Sequence, residues 1–285
     1  MTITVTDLFR YPVKSMGGHR LDQIELTNLG MPGDRCWTLK DEERGGIKGG
    51  KRFPELMGMS ARLVAEPTAE KPSPDTIVTL ADGRELSITA DETPRILSEE
   101  VGAPVSVWPL LPADQLDHYR RLPPEPGTDM EAALREVFAR TPDEPLPDLS
   151  VFPAELMSYE SPPGTYFDAY PLLIISHGAL AALAAAETGS TFDLRRFRPN
   201  ILVDTGEEGF VEDTWAGRQA KLGDAVLQFE LACPRCIMTT HGFNDLPKDP
   251  SIMRTLVQQN SGNLGVYASV AEPGLIRAGD TLELE

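Results

Sequence analysis

The chain has 285 residues, of which 41% are hydrophobic and 25% charged, a composition typical of a globular protein with one large or two medium domains. Its formal net charge of −18 argues against nucleic acid and membranes as partners, and no apolar run is long enough to span a bilayer. Three cysteines exclude a disulfide framework and the N-terminus has no signal-peptide pattern, so we expect a cytoplasmic protein.

The first part of the chain is predicted to consist mainly of strands. Residues 2–10 are rich in β-branched side chains, and residues 76–80 and 84–88 flank Asp82-Gly83, a strong signal for a two-residue hairpin. Residues 38–50 are charged and end in a glycine-rich patch around Lys48. A phosphate-binding loop would need Ser or Thr after this lysine, so we interpret the patch as a mobile hairpin or loop.

Prolines crowd residues 121–170 and disfavour long helices and central strands there. We therefore interpret this stretch as a connection between two domains. One short helix is predicted inside it, because Thr128 and Glu131 have the spacing of a capping box. That helix would present one apolar face, made of Met130, Ala133, Leu134, Val137 and Phe138.

The last part of the chain combines short strands with two helices. One helix is predicted to begin at Ser176, and residues 250–259 form the other. Strands are predicted at 200–203, 225–231, 265–270 and 281–284. Few helices among many short strands with Gly and Pro turns favour an α+β fold that is predominantly β, built from barrels or sandwiches.

The run Cys233-Pro234-Arg235-Cys236 carries the strongest chemical signal. It can be half of a zinc site with His241 as a third ligand, although no second ligand pair is visible. It can be a redox pair, although the following segment does not resemble the helix of a thioredoxin-type motif. The cysteines can also be buried packing residues. Arg235 favours a functional thiolate, because a neighbouring guanidinium stabilises the charged form of a thiol, the form that binds metals.

Basic and amide side chains recur beside glycine and serine at distant places in the chain. The three places are Lys14-Ser15, Gly33-Asp34-Arg35 and Arg196-Phe197-Arg198-Pro199-Asn200. Such donors suit a phosphorylated organic cofactor, and a soft thiolate suits a molybdenum ion held by that cofactor. For any single one of them, an ordinary surface side chain is the alternative interpretation.

Eight segments stand in a fixed order along the chain: Tyr11-Pro12-Val13-Lys14-Ser15, Gly33-Asp34-Arg35-Cys36-Trp37, Lys51-Arg52-Phe53-Pro54-Glu55-Leu56, Pro171-Leu172-Leu173-Ile174-Ile175-Ser176, Arg196-Phe197-Arg198-Pro199-Asn200-Ile201, Phe210-Val211-Glu212-Asp213-Thr214-Trp215, Cys233-Pro234-Arg235-Cys236 and Pro273-Gly274-Leu275-Ile276-Arg277-Ala278-Gly279-Asp280. Together they resemble the family that carries the molybdenum cofactor sulfurase C-terminal (MOSC) domain behind an N-terminal β-barrel domain. The mitochondrial amidoxime reducing component and the bacterial YcbX-type proteins are members of this family that the chain resembles.

This resemblance implies a domain organisation. Residues 1–115 would form the N-terminal MOSC β-barrel domain, and residues 116–170 the proline-rich connection with its one short helix. Residues 171–285 would form the MOSC core, a second β-barrel with a few helices. Two positions depart from the family: Pro234 stands where Ser or Thr is frequent, and Lys51 stands where arginine is frequent.

The resemblance also implies roles for individual residues. Cys236 would be the molybdenum ligand, with Asp213 and Arg235 as the other catalytic residues beside the metal. Cys233 would be a packing residue next to it. The molybdenum cofactor, Mo-molybdopterin, would be bound by Lys14, Ser15, Arg35, Arg198, Asn200 and Arg235.

The implied function is that of a molybdenum-cofactor-dependent oxidoreductase. Its substrates would be small N-hydroxylated compounds such as N-oxygenated bases and amidoximes. A separate ferredoxin- or flavin-type protein would supply the electrons, because the cysteines lack the spacing of an iron–sulfur cluster. The alternative is a molybdenum cofactor or sulfur carrier that uses Cys236. A barrel interaction domain without a cofactor is a third possibility, which leaves the basic residues unexplained.

Overall fold

The computed structural model describes residues 2–285, and strands dominate their fold. The N-terminal strands are β1 (Ile3–Arg10), β2 (His19–Leu21), β3 (Gln23–Leu26), β4 (Trp37–Asp41), β5 (Ile47–Lys48), β6 (Ser60–Leu63), β7 (Thr76–Thr79), β8 (Glu85–Ser87) and β9 (Val105–Pro109). The C-terminal strands are β10 (Leu172–Ser176), β11 (Ile201–Asp204), β12 (Gln219–Leu222), β13 (Ala225–Pro234), β14 (Asn263–Glu272), β15 (Gly274–Arg277) and β16 (Thr281–Leu284).

The helices are short and lie mainly outside the sheets. They are α1 (Thr93–Val101), α2 (Leu116–Tyr119), α3 (Met130–Val137), α4 (Ala154–Met157), α5 (His177–Ala186), α6 (Leu194–Phe197) and α7 (Ser251–Asn260), with 3₁₀ turns at Pro54–Gly58, Leu149–Val151, Val211–Trp215 and Ile237–Thr240. None of the helices between residues 2 and 285 has the length and hydrophobicity to cross a lipid bilayer. The predicted fold class, α+β and predominantly β, is confirmed.

Seven strands close a barrel in the order β1, β11, β10, β14, β13, β12, β16 and back to β1. β1 pairs antiparallel with β16 and with β11, where Val5 lies opposite Val203. Successive residues of a strand face opposite sides, but a register shift between Val5 and Asp7 brings Leu8 to the same interior as Ile3 and Val5. The barrel therefore combines the first strand of the chain with six strands of the C-terminal half.

The barrel interior is filled with apolar side chains, each of which contributes about 1.5–3 kcal/mol when fully buried. All seven strands contribute, and the antiparallel pair of β3 and β15 packs against them. Representative members are Val5, Leu8, Ile24, Leu172, Ile174, Ile201, Val203, Trp215, Ala220, Leu227, Phe229, Val266, Ile276 and Leu282.

β10 and β11 are parallel neighbours joined through α5 and α6, and this arrangement positions the candidate site. The predicted helix start at Ser176 is confirmed, because Ser176 Oγ accepts a hydrogen bond from Ala179 N over 3.0 Å. Parallel strands begin at the same edge of a sheet. The segments before β10 and before β11 therefore meet, and Asn200 N donates to Leu173 O over 2.8 Å.

The N-terminal part of the chain contains two further three-stranded sheets, β5-β4-β9 and β6-β7-β8, with α1 packed against them. The hairpin predicted at Asp82-Gly83 is confirmed, since β7 and β8 pair on either side of it, but its turn has three residues rather than two, because Leu80 N donates to Arg84 O over 2.9 Å. The glycine-rich patch forms the turn between β4 and β5, where Gly45 and Gly46 have φ values of 75° and 76°. A separate core lies here, made mainly of Val13, Met16, Leu39, Phe53, Leu56, Val78, Leu97 and Val105.

The connection between residues 116 and 170 contains α2, α3, α4 and one 3₁₀ turn rather than a single helix. The capping box predicted at Thr128 is wrong. Asp129 caps α3 instead, because its Oδ1 accepts a hydrogen bond from Ala132 N over 3.0 Å, whereas Thr128 Oγ1 donates to the carbonyl of Glu125. The carboxylate is the stronger acceptor and stands one residue closer to the helix.

Candidate functional site

A cavity of about 260 Å³ opens where the N-terminal segments, the connection and the edge of the barrel meet. Its walls come from residues that lie far apart in the sequence. Seven of the eight predicted site residues line it, namely Lys14, Ser15, Arg35, Arg198, Asn200, Arg235 and Cys236. The fold thus brings together side chains that the sequence analysis had selected one by one.

Three of these lining residues have a left-handed backbone. Ser15, Arg35 and Arg198 have φ values of 69°, 48° and 55°. Residues other than glycine rarely adopt this conformation, and such strain costs about 1–3 kcal/mol per residue. Strained residues concentrate where the surrounding structure holds a side chain in position for binding or catalysis. Their presence around one cavity supports a functional site.

Lys14, Lys51 and Asp168 form a charged cluster in the cavity wall. Lys14 Nζ lies 2.6 Å from Asp168 Oδ1, and Lys51 Nζ lies 3.4 Å from Asp168 Oδ2. Lys14 Nζ also donates to the carbonyl of Tyr166 over 2.7 Å and to Ser161 Oγ over 3.3 Å. Burial would raise the pKa of the Asp168 carboxyl, but the two ammonium groups outweigh this effect and hold that pKa well below its usual range.

Sequence reasoning missed Asp168 and noted Lys51 only as a departure from the family. Lys14 and Asp168 are 154 residues apart, and no spacing pattern connects them. The one available signal was the position of Asp168 shortly before β10, a strand that is buried along its whole length. Polar residues at the start of such a strand lie at the edge of the sheet, where a site can form.

Asn200 and Arg35 are linked by the fold. Arg35 forms an ion pair with Asp34, and its Nη1 lies 3.4 Å from Asn200 Oδ1. The Asn200 side chain also accepts from Leu173 N and donates to the carbonyl of Phe9, each over 3.3 Å. Asn200 is buried, so its amide connects β1, β10 and the Arg35 guanidinium. It positions Arg35 in addition to lining the cavity.

Arg198 supplies a buried cation with an unused donor. Its Nη1 donates to the carbonyl of Met16, and its guanidinium carbon lies 4.3 Å from the centre of the Tyr11 ring. Its Nη2 is buried and has no hydrogen-bond partner within residues 2–285. Burial, with a smaller contribution from Arg35, lowers the pKa of the Arg198 guanidinium to about 10, so the group stays charged at neutral pH.

The two cysteines of the Cys-x-x-Cys run have different environments. β13 ends at Pro234, and Cys236 stands directly before the 3₁₀ turn Ile237–Thr240. Cys233 is buried, with 2% of its surface exposed, whereas Cys236 is partly exposed at the cavity. Burial raises the pKa of the Cys233 thiol. Cys236 is therefore the cysteine that an incoming group can reach.

Arg235 contacts the first cysteine rather than the second. Its Nη1 donates to Cys233 Sγ over 3.1 Å, and its Nη2 donates to the carbonyl of Phe197 over 2.7 Å. Its backbone N donates to the carbonyl of Gly262 over 2.9 Å. From the sequence, Arg235 is expected to lie next to a metal-binding thiolate. In the structure it lines the cavity while fixing Cys233 and the segment before β11.

Asp213 is the predicted catalytic residue that the fold does not bring to the cavity. Its Oδ2 accepts a hydrogen bond from Asn260 Nδ2 over 2.6 Å, at the end of α7. Burial raises the pKa of its carboxyl, and its Oδ1 has no partner within residues 2–285. Asp213 therefore does not line the cavity as the structure has it, and its expected place beside a metal stays a prediction. Family resemblance selected the segment but did not fix the direction of this side chain.

Arg196, which belongs to the same motif as Arg198, has a structural part in the site. It is almost fully buried, and its guanidinium donates to the carbonyls of Thr239, His241 and Pro247 over 3.2, 2.8 and 2.7 Å. These carbonyls belong to the loop that follows Cys236. Arg196 therefore holds the loop that carries the accessible cysteine.

No three or more His, Cys, Asp or Glu side chains are grouped in residues 2–285 so that they could hold a metal ion. The zinc site considered for Cys233, Cys236 and His241 thus lacks a ligand set. A metal in this cavity would need ligands from a bound organic group in addition to the thiolate of Cys236.

The remaining lining residues include tyrosines and a group of apolar side chains. Tyr267 lies on β14 next to Cys233, and its ring packs 5.5 Å from the ring of Tyr170. Burial and the nearby thiol of Cys233 raise the pKa of the Tyr267 hydroxyl well above its usual value. The apolar lining comes mostly from the connection, as Leu134, Val137, Phe138, Leu149, Phe152, Leu156 and Met157.

Two protein-family profiles match the chain. The MOSC domain matches residues 163–283, and the MOSC N-terminal beta barrel domain matches residues 2–108. Among solved structures, the YUAD protein from Bacillus subtilis aligns with 100% of this chain and 96% of its own, with 13% identity and a TM-score of 0.44.

The chain is also similar to curated proteins. Identity to mitochondrial amidoxime reducing component 2 of Bos taurus is 27%, over 97% of this chain and 82% of the relative. Identity to mitochondrial amidoxime-reducing component 1 of Homo sapiens is 24%, over 99% of this chain and 82% of the relative. Identity to a molybdenum cofactor sulfurase of Drosophila grimshawi is 25%, over 91% of this chain but 31% of the relative.

Proposed function

The chain is a MOSC protein that also carries the N-terminal barrel domain of this family, and on this basis we propose that it is a molybdenum-cofactor-dependent oxidoreductase that reduces N-hydroxylated compounds. One observation carries the proposal. An accessible thiol, Cys236, faces the same cavity as a cluster of cations and the unpaired Nη2 of Arg198. The names of the relatives, which refer to amidoxime reduction and to the molybdenum cofactor, support the same reading.

The residues around the cavity fit a phosphorylated cofactor. Although the chain has a net charge of −18, the cavity is lined by seven Lys and Arg side chains and one carboxylate, Asp168. A buried donor without a partner costs about 1–3 kcal/mol, and an anion would satisfy Arg198 Nη2 through a charge-assisted hydrogen bond. The donor set therefore matches a phosphate better than a neutral ligand.

We assign the cofactor contacts as follows. Cys236 would be the thiolate ligand of molybdenum. Arg198 and Arg35 would bind the anionic end, and Ser15 and Lys51 can add a hydroxyl and an ammonium donor. The three hydrogen bonds of Lys14 Nζ go to acceptors within the protein. Lys14 would therefore attract the anionic cofactor through its charge, and it would bind the cofactor directly only if its ion pair with Asp168 broke. Asn200 would contribute by holding Arg35.

Reduction of an N-hydroxyl group consumes two electrons and two protons and yields the N–H compound and water. When bound, the molybdenum cofactor would supply a centre that exchanges two electrons with the substrate. The protein must deliver the protons. Tyr267 and Lys51 line the cavity and carry protons at neutral pH. Burial raises the pKa of Tyr267 and Asp168 raises the pKa of Lys51, so both are weak acids. We propose that they donate hydrogen bonds to the N-hydroxyl oxygen and pass on protons taken up from solvent.

A carrier of the molybdenum cofactor or of sulfur is the second candidate. The accessible thiol of Cys236 could hold a persulfide, and one relative is named a molybdenum cofactor sulfurase. A reductase retains its cofactor through many turnovers, whereas a carrier releases it. Metal content and turnover therefore separate the two functions.

The test is expression in two hosts, one that makes the molybdenum cofactor and one that does not. We expect molybdenum and pterin in equal amounts with the protein only from the first host, and reduction of an amidoxime with reduced viologen as the electron donor. Protein that carries persulfide on Cys236 but no molybdenum would contradict the reductase and support the carrier.

A further inference from the structure

The cavity has two chemically different sides. One side carries the cations and the thiol described above. The other side comes from a single stretch of the connection, residues 134–157, and every lining residue in that stretch is apolar. We name this side the apolar wall and define it by Leu134, Val137, Phe138, Leu149, Phe152, Leu156 and Met157.

The apolar wall is not part of a protein core. None of its seven side chains belongs to the hydrophobic clusters that fill the barrel or the N-terminal domain. No residue of α3 is buried, and Met157 remains 42% exposed. Apolar side chains that pack against no core and line an open cavity expose an unfavourable surface, and a ligand with an apolar body would cover it.

The first part of the wall is nevertheless anchored to the rest of the protein. At its base, Arg140 is buried and its Nη2 donates to the carbonyl of Ser261 over 3.0 Å, at the end of α7. Glu144 forms an ion pair with Arg254 of α7, with Oε2 2.8 Å from Nη1. Arg135 Nη1 donates to the carbonyls of Thr141 and Glu144 over 2.7 and 2.8 Å. This network fixes residues 135–144, which follow directly on the α3 part of the wall, against α7.

The wall does not match the cofactor that the opposite side fits. A phosphorylated pterin presents hydrogen-bonding edges, and the wall residues offer no polar side chain to them. The same argument applies to an N-hydroxylated nucleobase, whose ring edges also carry donors and acceptors. A phenyl ring or a branched alkyl group has no such requirement and gains from contact with Phe152, Phe138 and Leu149.

Resting on the function proposed above, we infer that the apolar wall is the specificity-determining surface of the site. It takes the apolar body of the substrate while the N-hydroxyl group points towards Cys236. The substrate class is then an N-hydroxylated compound with an aromatic or branched apolar substituent. N-hydroxylated nucleobases are poorer substrates.

The test uses two amidoximes with the same reacting group, benzamidoxime and acetamidoxime, on the molybdenum-loaded enzyme with reduced viologen. We expect kcat/KM to be higher for benzamidoxime by about tenfold or more, the range by which an apolar pocket discriminates between bodies of different size. Phe152→Ala and Leu149→Ala should remove most of this preference by raising KM for benzamidoxime. Values for acetamidoxime should change little.

Val151→Ala is the matched control. Val151 belongs to the same 3₁₀ turn, is 55% exposed and does not line the cavity. It should keep the full preference for benzamidoxime. Loss of the preference in Val151→Ala as well, or equal losses for both amidoximes in Phe152→Ala, would mean that the stretch is merely structural and would overturn the inference. A wild-type enzyme that prefers acetamidoxime or an N-hydroxylated nucleobase would overturn it too.

A binding measurement separates this inference from the proposed function. Saturation-transfer NMR with benzamidoxime on the same preparations should show ring contact in the wild type and Val151→Ala, and weaker contact in Phe152→Ala. If the loaded enzyme reduces no amidoxime but this pattern holds, the proposed reaction fails and the wall remains a site for apolar ligands. If benzamidoxime shows no contact with the wild type, the inference fails whatever the activity.

Discussion

Arg235 Nη1 donates a hydrogen bond to Cys233 Sγ over 3.1 Å, although Arg235 directly precedes Cys236 in the chain. The guanidinium is held there by a second hydrogen bond to the carbonyl of Phe197. Cys233 is buried and Cys236 is partly exposed at the cavity. The two cysteines therefore have separate tasks: Cys233 belongs to the scaffold, and Cys236 is available to a ligand.

Exchanging each cysteine for alanine should separate these tasks. Cys236→Ala should abolish molybdenum retention and leave the free energy of unfolding nearly unchanged. Cys233→Ala should keep molybdenum but lower the free energy of unfolding by about 1–3 kcal/mol, because Arg235 loses a buried partner. Metal analysis and denaturant titration measure the two effects. Equal molybdenum loss in both folded variants would point to a paired-cysteine site and contradict the assignment.

Removal of a cavity arginine should weaken cofactor binding. Arg198→Ala and Arg35→Ala each lose a charge-assisted contact, which should cost about 1.5–3 kcal/mol of binding free energy. Arg84→Ala is the control, because Arg84 lies in the β7–β8 hairpin with 58% of its side chain exposed. Pterin release on dilution is the readout. Equal retention in all three variants would show that the cations do not hold the cofactor.

Asp168→Asn tests the charged cluster through acid stability. The pKa of the folded Asp168 carboxyl lies well below its unfolded value of about 3.9, so its ion pairs stabilise the protein above that pH and lose their effect as the pH falls through the folded pKa. Because the side chain is 48% exposed, the variant should be less stable at pH 7 by only about 0.5–1 kcal/mol.

The difference between wild type and Asp168→Asn should shrink as the pH falls below about 4, because the carboxyl of the unfolded wild type takes up a proton there and that of the folded protein does so only at still lower pH. Denaturant titrations at several pH values between neutrality and that acid range measure it. The exposed Asp114, exchanged for Asn, serves as the control and should show no such trend. If the free energy of unfolding differed between wild type and Asp168→Asn by the same amount at every pH, the side chain would stabilise the protein through its packing rather than through its charge.

Electron supply gives a prediction about turnover. The sequence has no glycine-rich dinucleotide fingerprint and no cysteine spacing for an iron–sulfur cluster. The isolated chain should therefore be inactive on amidoximes with NADH or NADPH alone. It should become active with a reduced viologen or with a ferredoxin- or flavin-type protein. Turnover with NADH by the purified chain would disprove this prediction.

Local sequence signals predicted much of the fold because the corresponding elements are stabilised locally. The Asp82-Gly83 turn and the start of α5 at Ser176 are examples, since one turn type and one capping hydroxyl decide each of them. Partners that are distant in the chain follow no such pattern. The pairing of β1 with β11 and β16 depends on barrel closure, which no single window of sequence encodes.

The difference between local signals and long-range contacts also explains which residues of the candidate site could be predicted. Lys14, Arg35, Arg198 and Cys236 were found because they lie in motifs with recognisable neighbours. Asp168 was missed because it becomes a site residue only when residues before β10 are folded against Lys14. The apolar wall was missed for a related reason: its amphipathic helix was recognised, but the sequence does not show whether the apolar face of that helix meets a protein core or a cavity.

The closure of the barrel by β1 also determines when the barrel can form during synthesis of the chain. Among the seven barrel strands, β1 leaves the ribosome first, but its neighbour β16 follows only after nearly the whole chain. At typical elongation rates this interval is on the order of 10–60 s. β2 and later β11 pair with β1 within this interval, but the edge of β1 at Ile3 and Thr4 that receives β16 stays unpaired and open to wrong pairing. Lys14 and Arg35 are far from Arg198 and Cys236 in the sequence, so the cavity can form only after the segments through Tyr267 have been made and folded together, and a cofactor of the proposed kind would bind only then.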